Sequence, residues 1–406
     1  MRFAIDRDFT VRTLADLVRI NSINPSLEPG GPGEAEIAAY LARTLMRLGL
    51  TVDRHEPVPG RVSVVGRLAG AGPGPALMLN GHVDTVGVAG MQEPFSGAIR
   101  DGKLFARGAY DMKGSIAACL GAVKALVDAG ASFRGEVLLA AVADEEDASI
   151  GTADLLTKYR VDAAIVTEPT HLDICLAHKG FVWIEVETLG RAAHGSRFDL
   201  GVDANMAMGR FLGALDRLER ELRTRTPHPL VGPPSLHAAV LRGGTAPSVY
   251  AASAKLTIER RTIPGETEAG AVAEIQAIVD DLAACDSSFR ATSRSLLARQ
   301  PFEVSPDARI VQMVRRAGER GPGQGAGVLR SDAVDGFGAA RGCRVRDRSD
   351  RSNGRRRARG GGVGRSGIRS TARCHPSRSR GGLSALISAQ PTLLWTLAEM
   401  VITRDL

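Results

Sequence analysis

Short apolar runs that stop abruptly at acidic or imidazole side chains set the strongest limit on how this chain folds. Ala76 to Leu79 is long enough for a buried strand; Asn80 and Gly81 break it, and His82 and Asp84 follow. Glu136 to Ala143 ends in D-E-E-D at 144–147, and Ala163 to Thr167 ends at Glu168 and Pro169. Val62 to Leu68 is a further strand-like run. D-M-K-G at 111–114 introduces Ser115 to Ala129, an Ala-rich stretch that reads as a buried helix. Strands alternating with helices predict an α/β fold with a mostly parallel, doubly wound sheet. In such a sheet the side chains just past parallel strands gather on one edge, where open α/β sheets bind ligands.

Residues 10–48 read as helical around a Pro/Gly-rich loop at 25–33, with Ile37, Leu41, Leu45 and Leu48 on one face. Residues 85–109 are irregular. From 177 to 294 the pattern changes. Val182 to Thr188 alternates as a strand, and Leu236 to Leu241 and Ala252 to Glu259 are also strand-like. Asp203 to Leu222 and Ala269 to Ala284 read as helices. This composition predicts an α+β domain inserted in the first.

At 406 residues the chain is long enough for two domains. Its start, M-R-F-A-I-D-R-D, has no long apolar run, and no stretch approaches a membrane span, so a cytoplasmic location is expected. The five cysteines, Cys119, Cys175, Cys285, Cys343 and Cys374, show no C-x-x-C spacing. That argues against a disulfide framework or a thiolate zinc site.

The polar clusters point to a metal. Several carboxylates buried together are costly unless a cation compensates them. A mixed His, Asp and Glu set suits zinc or a similar divalent ion. A carboxylate two residues beyond His82 can hold the second nitrogen of a metal-bound imidazole. Adjacent Glu145 and Glu146 can divide the labour, one binding metal and the other moving a proton. Each cluster alone also fits a solvated turn; four at strand–helix junctions favour the metal.

With those residues in view, the sequence resembles the co-catalytic zinc amidohydrolases and exopeptidases that include acetylornithine deacetylase, succinyl-diaminopimelate desuccinylase, aminoacylase and glutamate carboxypeptidase. The resemblance covers roughly residues 10–320. It is carried by L-N-G-H-V-D-T-V (79–86), R-G-A-Y-D-M-K-G (107–114), A-D-E-E-D-A-S-I-G-T (143–152) and V-T-E-P-T (166–170). G-R-A-A-H-G-S (190–196) and E-R-R-T-I-P-G-E (259–266) fit the family's inserted lid and dimerisation domain. The resemblance implies that His82, Asp111, Glu146 and Glu168 are metal ligands, with Asp111 bridging two zinc ions. Cobalt or manganese are possible replacements. It implies that Asp84 orients His82, that Glu145 is the general base, and that His194 reaches a partner subunit's site. Arg261 is its candidate for the substrate carboxylate, and Ser248 stands where many relatives carry Asn. A cis peptide is implied at Asp111–Met112. The implied substrate is an N-acyl amino acid or small peptide, and the implied assembly a homodimer through the lid.

The expected division is a catalytic domain at 1–176 and 295–329, a lid at 177–294, an Arg/Gly-rich stretch at 330–382 and a possible helix at 383–406. The third of these departs from the family. Residues 341–380 hold fourteen Arg and two acids, a contribution of +12 to a net charge of +7, so the other 366 residues carry −5. The stretch lacks apolar periodicity, and the family's W-T-D and its last ligand, a His in a G-G-G-A-H-A loop, are both missing. One reading is a disordered basic tail contacting nucleic-acid phosphates. The other is a reading-frame error. Codons GTG-GAC-GGA-T for Val334 to Gly336, read one nucleotide later, give Trp-Thr-Asp. The same shift over Asn353 to Ile368 permits T-G-G-G-A-H-A-x-E-E-W-V-D-L-A-S, with the His read as CAC across Ala358 and Arg359. The frame error is favoured, and it makes the second metal site impaired and activity of the chain as written doubtful. An inactive or one-metal homologue, or a nucleic-acid-binding protein, are the alternatives.

Overall fold

The computed structural model describes residues 3–320, with the short pieces 328–329 and 385–386. The expectations for 330–382 and for a helix at 383–406 otherwise lie outside the described residues.

Nine strands in two sheets carry the architecture. The first sheet contains β1 (Thr51–Val58), β2 (Arg61–Ala69), β3 (Ala76–His82), β4 (Glu136–Val142) and β5 (Ala163–Val166), in the order β1-β2-β4-β3-β5. Strands β4, β3 and β5 are mutually parallel, with Leu79 opposite Leu139 and Ile165. The β1–β2 and β2–β4 pairs are antiparallel. The sheet as a whole is therefore mixed: Pro59 and Gly60 turn β1 straight back into β2, and a two-residue connection permits only an antiparallel pair. Strand β1 carries Pro57 and four charged or His residues and is largely exposed. Such an edge strand lacks the apolar signal that marked its neighbours.

Helices α1 (Arg7–Arg19), α2 (Ala35–Arg47) and α3 (Gly114–Asp128) cover one face, and α4 (Ile150–Lys158) the other. Successive side chains on a strand alternate between faces. Leu77 and Leu79 accordingly join Leu14, Leu17, Leu41 and Leu45 in one core, while Ala76 and Met78 join Leu138 and Leu155 in the other. Burial on both faces explains the unbroken apolar run at 76–79. Asp6 caps α1, accepting from Phe9 N at 2.8 Å.

The second sheet is wholly antiparallel. It comprises β6 (Gly180–Leu189), β7 (Ser235–Gly243), β8 (Ser253–Thr262) and β9 (Ala291–Arg299), in the order β7-β8-β6-β9. Helices α5 (Ala204–Thr224) and α6 (Glu268–Cys285) pack on it around Phe211, Leu256, Ile258, Ile275 and Phe289. The expected boundary at 294 falls inside β9, whose pairing with β6 carries this unit to Arg299. That strand, A-T-S-R-S-L-L-A-R, is half-exposed and polar, and periodicity does not reveal it. After it comes α7 (Arg309–Arg320), whose Met313 and Ala317 pack on Ile165 at the first sheet's parallel edge.

Candidate metal centre

Parallel β4, β3 and β5 end together, which puts the residues after each strand on one rim. His82 is the last residue of β3, opposite Val142. Glu145 and Glu146 follow β4, and Glu168 follows β5. Asp111 arrives from a different element, the turn Ala109–Lys113 that precedes α3, where Asp111 and Met112 have non-helical backbone angles. The Asp111–Met112 peptide is cis, as the resemblance implies. Gly81 admits this turn: a Cβ there would lie 2.8 Å from both Met112 Cε and Ile116 Cδ1.

His82 is buried, and its Nε2 stands 3.0 Å from Asp111 Oδ1, 3.8 Å from Glu168 Oε1 and 3.9 Å from Glu145 Oε2. Two donor groups form, His82–Asp111–Glu146 and His82–Glu145–Glu168, each with ligand atoms within 4.8 Å of one another. Zinc bonds of about 2.0–2.2 Å put tetrahedral ligand atoms about 3.3–3.6 Å apart. The donors are therefore close to what a divalent ion requires, and an imidazole with carboxylates is the chemistry zinc accepts.

The electrostatics fit a cation as well. Burial pushes the Glu146 and Glu168 carboxyls up to about 8; His82 pulls each back, while neighbouring carboxylates push them further up. Burial also raises Glu145, against the pull of His82. Burial alone would lower His82, but Asp111, Asp84 and Glu168 outweigh it and hold the imidazole well above its ordinary range. Crowded, buried carboxylates of this kind are stabilised when a cation compensates their charge.

Asp84 is buried beneath His82. The His82 Nδ1 is 3.0 Å from the Asp84 carbonyl oxygen and 3.5 Å from its Oδ1. The backbone N–H groups of Glu145 and Glu146 donate to the Asp84 carboxylate at 3.0 and 3.2 Å. Asp84 thus holds the imidazole through its carbonyl and the Glu pair through its carboxylate. Burial would raise its pKa, but the bonds from His82, Asn24 and Glu145 hold it below the usual range.

The lid residues belong to neither of these donor groups. His194 is exposed, its Nδ1 2.9 Å from Ser196 Oγ. Ser248 is on the adjoining loop, where its carbonyl accepts from Gly195 N at 2.7 Å. Arg261 lies on β8, its Nε 3.0 Å from Glu259 Oε1 and its guanidinium over the Phe181 ring. Sequence reasoning missed Asn24, Glu34, Arg61 and Lys113. The buried Lys113 ammonium donates to the Leu17 and Ile20 carbonyls at 3.1 and 2.9 Å, tying the start of α3 to the end of α1. It stands inside the D-M-K-G motif; the other three offer no motif of their own.

A pH dependence follows for chelator-treated protein. Glu146 and Glu168 keep protons in the folded state up to about 8 that the unfolded chain sheds near 4.5. Between pH 5 and 7 the folded state therefore binds more protons, and stability falls as pH rises. Loss of the His82 contribution above about 6.5 has the same sign. Lys113, pushed down to about 7 by burial against the pull of Asp84, has the opposite sign but acts only above that value. The expected outcome is a Tm lower by roughly 5 °C at pH 7 than at pH 5 without metal, a difference that zinc removes. A Tm that is flat or rising over that interval in the stripped protein would contradict this.

The fold and this rim define a class, the metal-dependent amidohydrolases. The chain belongs to the peptidase family M20/M25/M40, whose description matches residues 78–334. Acetylornithine deacetylase of Salmonella heidelberg is 31% identical over 312 residues, covering 74% of this chain and 80% of that protein. N-formyl-4-amino-5-aminomethyl-2-methylpyrimidine deformylase of Bacillus subtilis is 31% identical over 274 residues, 63% of this chain and 64% of the deformylase's length. The crystal structure of a tripeptidase from Staphylococcus aureus superposes with a TM-score of 0.68 at 16% identity, covering 98% of each chain. Among the described residues, no helix is long and apolar enough to cross a membrane.

Proposed function

We propose that the protein hydrolyses the amide bond of an N-acyl amino acid or small peptide, with zinc held by His82, Asp111, Glu146 and Glu168. The observation that carries this is the gathering of one buried imidazole and four carboxylates at the carboxyl edge of β3, β4 and β5, with Asp84 behind them. Both relatives named above are, by their names, enzymes that remove an acyl group, one a deacetylase and the other a deformylase of an N-formyl compound. Asp111 is offered as the bridge between two ions. Bound zinc lowers the pKa of a water and polarises a carbonyl.

The residues of the chain do the rest. Asp84 fixes the imidazole tautomer through Nδ1. Glu145 accepts the water's proton at its carboxylate and delivers it to the leaving amine. Burial keeps its affinity for protons above that of an ordinary carboxylate, as a base near neutral pH requires. Arg261 and Ser248 are offered as substrate contacts, and His194 as a residue that reaches a second subunit's site. A test is release of free amine from N-acetylornithine and from dipeptides by stripped and zinc-reloaded protein. Hydrolysis indifferent to the chelator would sink the reading.

One observation favours a one-metal form of the chain as written. Among the described residues, His82 is the imidazole common to both donor groups. A second ion would then rest on carboxylates alone.

A homodimer through the second sheet is part of the same proposal. Strand β7 is an edge strand with β8 as its neighbour, and Val240 and Leu241 on it are about half-exposed, while Met206 on α5 is about two-thirds exposed. An open apolar edge is a template for a second chain. Leu241→Lys is expected to turn a dimer into a monomer in sedimentation; a wild-type chain that sediments as a monomer removes this part.

A further inference from the structure

Behind the Glu145–Glu146 turn lies a mostly buried polar cluster, Asn24, Glu34, Arg61 and Asp144, that the proposed reaction does not use. Arg61, the first residue of β2, is 6% exposed, and Glu34, just before α2, is fully buried. The Arg61 guanidinium grips Glu34 with two edges, Nε to Oε2 at 2.9 Å and Nη2 to Oε1 at 2.6 Å. The same Nη2 reaches Asp144 Oδ1 at 2.7 Å, and Nη1 donates to Ser26 Oγ at 3.1 Å. Asn24 Nδ2 is shared between Asp144 Oδ1 at 3.0 Å and Asp84 Oδ2 at 2.8 Å.

Asp144 is where these contacts meet, and its backbone is in the left-handed region, φ 63°. A non-glycine residue holds that conformation only when its surroundings compensate the strain. The compensation is visible. The Asp144 N–H donates to Glu34 Oε1 at 3.3 Å, and its carbonyl accepts from Ser149 N at 2.5 Å. The left-handed step aims the next two N–H groups at Asp84. A planar guanidinium suits this task, since its fixed fork grips Glu34 through two nitrogens while a third reaches Ser26; a lysine ammonium has all its donors on one nitrogen and cannot make that two-pronged grip.

We propose that Arg61 is a positioning residue: by gripping Glu34 and Asp144 together it fixes the turn that presents Glu145 and Glu146, with Asn24 as the strut tying that turn to Asp84. Its catalytic meaning rests on the metal-dependent reading above. The placement of the turn does not.

The test uses the full chain with Arg61→Lys, which keeps the charge and loses the fork, and Asn24→Ala as a milder second variant should the first not fold. Hydrogen exchange is followed at residues 143–147 and along β6, and zinc affinity is measured against a competing chelator. Arg61→Lys is expected to speed exchange at the Glu145 and Glu146 amides about tenfold, leave β6 unchanged, and weaken zinc about tenfold. Asn24→Ala is expected to move the same readouts in the same direction. Exchange that rises evenly over both sheets, or zinc affinity unchanged beside a lowered Tm, would assign Arg61 to general stability and overturn the proposal. A wild-type chain that binds no zinc would remove the metal reading, and the exchange comparison would still decide whether Arg61 positions the turn.

Discussion

Restoring the reading frame across residues 334–368 is expected to raise bound zinc from at most one ion per chain to about two and to bring amide hydrolysis with it. The reason lies in the donors. Under the proposed reading His82, Asp111, Glu146 and Glu168 are in place on the rim, but among the described residues a second ion would have only the bridging Asp111 and Glu146. Two carboxylates hold zinc less tightly and less selectively than a set with an imidazole. In the proposed shifted frame, an Ala358 codon GCA followed by the first letter of an Arg359 codon would read CAC and supply that imidazole, in a G-G-G-A-H-A string that suitable synonymous codons permit. The match to the family description ends at residue 334. Both versions should be expressed, their zinc measured by elemental analysis, and their hydrolysis of N-acetyl amino acids compared. If the chain as written holds two zinc ions and turns over equally fast, the frame argument is wrong, and His375 is the first residue to test as the ligand. If instead the chain binds arbitrary DNA in a salt-dependent way, and loses this on deletion of 341–380, the basic stretch has a use of its own.

The parts of the site that can be read from the sequence sit where an apolar strand stops. His82, Glu145, Glu146 and Glu168 each follow such a run, and the parallel register of β3, β4 and β5 then brings them together. Asp111 is legible for a different reason, the motif around it. The layer behind is not legible. Asn24 lies in a Pro-rich loop, Glu34 precedes a helix and Arg61 opens a strand, and each has an ordinary local explanation. Their significance comes from contacts 27 to 120 residues apart in sequence, which no periodicity encodes. Strands β1 and β9 escape for a related reason: exposed edges need no apolar alternation. The antiparallel lid sheet is easier to see, because β6 buries one face and alternates strictly.

In the frame-restored chain, Glu145→Gln is expected to lower turnover by about 10²–10⁴-fold while leaving zinc content unchanged. The geometry makes this a real choice between two neighbours. Glu145 and Glu146 both donate their N–H groups to Asp84, so neither backbone is the freer one. Their side chains diverge: Glu146 joins His82 and Asp111, whereas Glu145 joins His82 and Glu168. By position in A-D-E-E-D, the proposal assigns Glu146 as the ligand and Glu145 as the base. Gln keeps the shape and the hydrogen-bonding reach of Glu145 but cannot take a proton from water. Glu146→Gln should show the converse, loss of an ion together with loss of rate. Metal content must be measured beside kcat for both variants, because rate alone falls in either case. Should Glu145→Gln release zinc while Glu146→Gln retains it, the two roles are exchanged, and the His82–Glu145–Glu168 group is the true ligand set.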